Sequence, residues 1–162
     1  MTQDSGSIER LIERGYRYAY SLTHDAADAE DLLQEAWVSV LRAGGRQTAA
    51  YLFTAIRCRF IDSLRARKQL VRNADEFQAV SVTAAETCVS EGAEPLWENG
   101  ELGHALGKLD AESRSMLFLV AVEGWSTRQI AKLMGIPRGT VLSRLHRTRA
   151  RLRTLLQGKG DT

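Results

Sequence analysis

Two stretches of this chain, Ile8 to Leu64 and Leu102 to Leu155, place their apolar residues mainly three and four apart. That spacing lines one face of a helix and has no counterpart in a strand, so an all-α fold is expected. In the first stretch Ile8, Leu11, Ile12, Ala19 and Leu22 form one helical face, and Leu33, Ala36, Trp37, Val40 and Leu41 form a second. Asp25 between them is placed to cap the second helix, with Asp28, Glu30 and Asp31 complementing its positive end. Gly44-Gly45 closes that helix, and Thr48 opens a third through Leu52, Ile56, Phe60 and Leu64.

The second stretch reads the same way. Leu102, Ala105, Leu106 and Leu109 predict a helix ending near Asp110, which also caps the next one, through Met116, Leu117 and Val120 to a stop at Gly124. Ser126 followed three residues later by Gln129 is a capping-box pattern. It opens a short helix that turns inward Ile130, Ala131 and Leu133 and ends at Gly135. Pro137 then sits at the first turn of a long final helix through Val141, Leu145, Leu152 and Leu155.

Between the stretches, residues 73–100 lose any period and carry turn formers, which reads as a flexible linker between two small helical domains, 1–72 and 101–162. Charge divides along the same lines. Residues 1–72 hold 11 Lys and Arg against nine acids, residues 73–112 one Lys against nine acids, and residues 113–162 ten Lys and Arg against two acids. So acidic a middle before so basic an end points to a polyanionic partner. No apolar run approaches the ~18–20 residues needed to cross a bilayer, and the N-terminus has no secretory pattern, so no membrane insertion and a cytoplasmic protein are expected. Cys58 and Cys88 match no zinc or redox spacing.

The segment Ser126 to Leu145 has the grammar of a helix-turn-helix: a short capped helix, a glycine turn and a second helix. In that arrangement the first turns of the second helix meet base edges in the major groove, here through Arg138, Gly139, Thr140, Ser143 and Arg144. Arginine suits guanine edges and phosphates, Thr and Ser suit either, and Gly139 admits a close backbone approach. From Arg138 to Arg153 there are six arginines and no acid, a run suited to duplex DNA. The alternative, a merely solvated basic face, is weakened by the helix-turn-helix that precedes it.

Glu123-Gly124-Trp125-Ser126-Thr127-Arg128-Gln129-Ile130-Ala131 and Ile136-Pro137-Arg138-Gly139-Thr140-Val141-Leu142-Ser143-Arg144-Leu145-His146-Arg147 resemble region 4 of bacterial sigma factors, in particular the extracytoplasmic-function (ECF) group. In the first half, Asp28-Ala29-Glu30-Asp31-Leu32-Leu33-Gln34-Glu35-Ala36-Trp37 resembles sigma region 2.2. Residues 51–65 resemble regions 2.3 and 2.4. The chain departs from the usual pattern at Cys58, where the family has Asn, at Gln129, where it has Glu, and at Leu142, often Lys.

The resemblance implies an alternative sigma factor that binds core RNA polymerase, recognises promoter DNA and promotes transcription initiation. Asp28, Asp31, Gln34 and Glu35 would dock on the β′ clamp helices, and the second domain would meet the β flap. Arg46, Gln47 and Thr48 stand where the family captures an unstacked base of the melted strand, and Arg57, Arg65, Arg67 and Lys68 would follow the downstream element. Arg138, Gly139, Thr140, Ser143, Arg144 and Arg147 would hold the double-stranded upstream element. An anti-sigma factor is a further implied partner. Two alternatives are a sigma mimic that sequesters an anti-sigma factor, which has no need of the DNA-facing arginines, and a stand-alone helix-turn-helix regulator, which leaves the first domain without a purpose. His24, His104 and His146 are scattered and no phosphate loop is present, so neither an enzyme nor a cofactor or metal site is expected.

Overall fold

A computed structural model describes residues 3–75 and 100–158; among these every regular element is an α-helix. The helices are α1 (Gln3–Thr23), α2 (Ala26–Arg42), α3 (Ala49–Asp75), α4 (Glu101–Gly107), α5 (Ala111–Ala121), α6 (Thr127–Met134) and α7 (Arg138–Gln157). The described residues form two compact units, one of residues 3–19 and 25–75, the other of residues 20–24 and 100–158. Helix α3 runs three residues past the boundary expected at 72, and most of the expected linker lies outside the described residues.

The first unit is held by an apolar core. Leu11, Tyr18 and Ala19 of α1, Leu32, Leu33, Ala36 and Val40 of α2, and Leu52, Phe53 and Ile56 of α3 are all buried. Tyr18 stacks on Phe53 with ring centroids 4.6 Å apart. Helix α1 approaches closely at Gly15, where a Cβ would come within 2.7 Å of Leu52 Cδ2 and 2.9 Å of Leu33 Cδ1. Asp25 caps α2 as its sequence position predicts, accepting the Asp28 N–H at 2.9 Å. Beyond Ile61 every described side chain of α3 is exposed, so the second half of this 27-residue helix extends past the core.

The second unit packs α5, α6 and α7 around Met116, Phe118, Leu119, Ile130, Met134, Val141 and Leu145. Two details differ from the expectation. Met134 is buried, and Ala131 and Leu133 only partly so, because Met134 lies one turn after Ile130 on the core face of α6. Helix α5 ends at Ala121 rather than near Gly124: Glu123 N–H folds back to Phe118 O at 3.3 Å and Trp125 N–H to Leu119 O at 2.8 Å. Arg114 is buried, and its guanidinium donates to Leu109 O at 2.8 Å and to Leu106 O at 3.3 Å, beside the bond Leu106 O already accepts from the Leu109 N–H, and so fastens the turn after α4.

Candidate nucleic-acid interface

In the second unit the helix-turn-helix is built from strong local signals. Ser126 accepts the Gln129 N–H at 3.3 Å while Gln129 Oε1 accepts the Ser126 N–H at 2.8 Å, the full capping box. Gly135 takes φ 65°, and Ile136 N–H donates to Ala131 O at 3.1 Å, closing a Schellman turn that aims the chain into α7. Pro137 stands at the N-cap of α7, with no side-chain cap, rather than inside its first turn. Arg138 Nε donates to Thr127 Oγ1 at 3.0 Å and ties the start of α7 to the start of α6.

Val141, Leu145 and Thr148 form the buried stripe of α7. Opposite this stripe, Gly139, Ser143 and Arg147 are exposed, joined by Leu142 and His146. Of the six residues expected at the upstream element, Arg138, Gly139, Ser143 and Arg147 therefore lie open to a partner, while Thr140 and Arg144 are half-buried. Arg144 leans away from the open face and forms an ion pair with Glu112 of α5. A shallow cleft beside that pair gathers Ser113, Arg144, Arg147 and Arg151. Arg149, Arg151 and Arg153 continue the exposed basic surface along the helix.

In the first unit Asp28, Asp31, Gln34 and Glu35 are all exposed on α2, one helical turn apart from one to the next or adjacent. Arg65, Arg67 and Lys68 are exposed on the overhanging half of α3. Arg67 Nη2 lies 3.6 Å from Asp28 Oδ2, so residues expected at two different partners touch each other. Arg57 stands apart: it is buried, 7% exposed, because it shares the packed face of α3 with Leu52, Phe53 and Ile56. Such a guanidinium cannot reach a phosphate without moving.

Arg46, Gln47 and Thr48 are exposed in the loop before α3. Thr48 Oγ1 accepts the Tyr51 N–H at 3.4 Å, and the Tyr51 ring lies against Gly45, filling the space a Cβ would take. Gln47 and Thr48 line a shallow cleft together with Arg10 and Arg14 of α1. These two arginines are not singled out by the sequence reading. Their spacing of four on one helix is the signal that could have marked them.

Residues 8–70 match the model of Sigma-70 region 2, and residues 99–152 match that of Sigma-70, region 4. The chain belongs to the sigma-70 family, in its ECF group. It is 37% identical over 158 residues to the ECF RNA polymerase sigma factor SigL of Mycobacterium tuberculosis, covering 91% of this chain and 85% of the relative. To the ECF RNA polymerase sigma factor EcfG of Rhodopseudomonas palustris it is 32% identical over 148 residues, covering 88% and 79%. The sigma factor RpoE of Bartonella quintana, solved in complex with the anti-sigma factor NepR, superposes with a TM-score of 0.72 at 26% identity, over 98% of this chain and 99% of that one. The protein is an alternative sigma factor for transcription initiation, working with core RNA polymerase on promoter DNA, and the sigma-mimic and stand-alone regulator readings are not favoured.

Proposed function

We propose a division of that work between the units. The exposed side of α2, carrying Asp28, Asp31, Gln34 and Glu35, docks on the β′ clamp helices of core polymerase. The loop at Arg46, Gln47 and Thr48 takes the melted strand, with Arg10 and Arg14 beside it and Arg65, Arg67 and Lys68 along the neighbouring backbone. In the second unit Arg138, Gly139, Ser143 and Arg147 meet the upstream element in the major groove, with Thr140 and Arg144 at its flank. This unit also meets the β flap. The observation that carries this reading is the open face of α7: exposed, rich in arginine, free of acids, and held by a complete helix-turn-helix.

The protein acts by binding and carries no chemistry of its own. Among the described residues no helix is long and apolar enough to cross a membrane, which supports action in the cytoplasm. Since the Bartonella quintana relative is bound by an anti-sigma factor, an anti-sigma partner holds this chain in the same manner.

Two substitutions separate the surfaces. Asp31→Arg reverses a charge on the docking face, and polymerase binding falls at least tenfold while upstream DNA binding is kept. Arg147→Ala does the opposite: DNA binding weakens about tenfold and polymerase affinity is unchanged. Unaltered polymerase affinity in the Asp31 variant, measured by titration with purified core, would discard the assignment of α2.

A further inference from the structure

Leu142 is half exposed, at 49%, on the first turns of α7, and it stands on the open face between polar residues. Gly139 lies one turn before it, with empty space where a Cβ would stand, and His146 one turn after, so nothing of the chain shields it. A lone exposed leucine is ordinary on a protein surface. Here, however, it occupies the part of the helix-turn-helix that enters the major groove. The one apolar group that a base edge presents in that groove is the C5-methyl of thymine. The other edge groups are hydrogen-bond donors and acceptors, which an isobutyl side chain would strip of water and leave unpaired.

We infer that Leu142 is a specificity-determining residue, reading one thymine of the upstream promoter element through its C5-methyl group. The inference rests on the proposed placement of α7 in the groove. It adds one thing that placement leaves open, a preference for thymine over cytosine at the base pair facing Leu142. Cytosine lacks the methyl and presents an amine that Leu142 cannot satisfy. Because the contact is apolar, it releases no counterion and leaves the salt dependence of binding untouched, unlike that of Arg147.

The test uses holoenzyme assembled from the full chain and purified core polymerase. Its preferred upstream sequence is first selected from a library of random duplexes. Each thymine of that sequence is then replaced singly by deoxyuridine, which removes the methyl and nothing else. The expected result is one position at which the replacement weakens wild-type binding about fourfold, the worth of one buried methyl group. With Leu142→Ala the same replacement has no effect at that position, and the salt slope equals that of the wild type. Leu142 is exposed, so the variant folds, and an unchanged melting temperature checks this. Equal binding of every deoxyuridine duplex, by a protein that still selects a sequence, overturns the reading of thymine and leaves the DNA interface standing. Failure to select any upstream sequence overturns both.

Discussion

Asp110 accepts the Ser113 N–H at 2.9 Å and the Ser113 hydroxyl at 2.7 Å, and so fixes the start of α5. Partial burial pushes its carboxyl up, but the hydrogen bonds from Ser113, with the charge of Arg114, outweigh this and hold it below the ordinary value of 3.8. A carboxyl whose folded-state pKa is depressed stabilises the fold above its unfolded value and loses that contribution as pH falls through the folded value. Asp110→Ala therefore lowers stability by about 1 kcal/mol at neutral pH, the usual worth of an N-cap. In chemical denaturation the gap between wild type and variant closes as pH falls through the depressed folded-state value, below the ordinary 3.8; a gap that persists in acid would assign the effect to packing. Capping residues such as Asp25, Asp110 and Ser126 are legible in sequence because donor and acceptor lie within three positions of each other. The burial of Arg57 is not legible: an arginine two turns into a helix looks the same in sequence whether its stripe packs or faces water.

At the scale of the element, α6 and α7 were readable from the capping box and Gly135, since both are local devices. The pairing of Arg144 with Glu112 was not, because 32 positions separate them and only the packing of α5 on α7 brings them together. The two side chains are 36% and 43% exposed, so the pair contributes little to stability, within about 0–1 kcal/mol. Its larger consequence is for binding, since the pair occupies a cation at the edge of the surface proposed to face DNA. Glu112→Gln releases Arg144 to a phosphate, and the slope of log K against log salt steepens by about 0.9 on duplex DNA. An unchanged slope in the variant would place Arg144 outside the interface and leave it a purely internal contact.

Along the whole molecule the charge is divided, an acidic middle preceding a basic end. An exposed acidic and amide face on α2 suits a basic protein surface, and α7 with its arginines suits a polyanion. The two helical stretches readable in the sequence, Ile8 to Leu64 and Leu102 to Leu155, overlap the matched sigma regions at 8–70 and 99–152. That agreement arises because the helical period and the caps of each stretch are local to it, as at Asp25, Asp110 and Ser126. How the stretch 73–100 serves both units is not written in a periodic pattern, since that stretch has none. The most direct measurement is transcription by purified core polymerase, with this protein as the only added factor, on a library of double-stranded genomic fragments. Discrete transcripts that appear only with the protein, and disappear with Asp31→Arg and with Arg147→Ala, are the predicted result. Tight binding of neither polymerase nor DNA, and no transcript on any fragment, would contradict it.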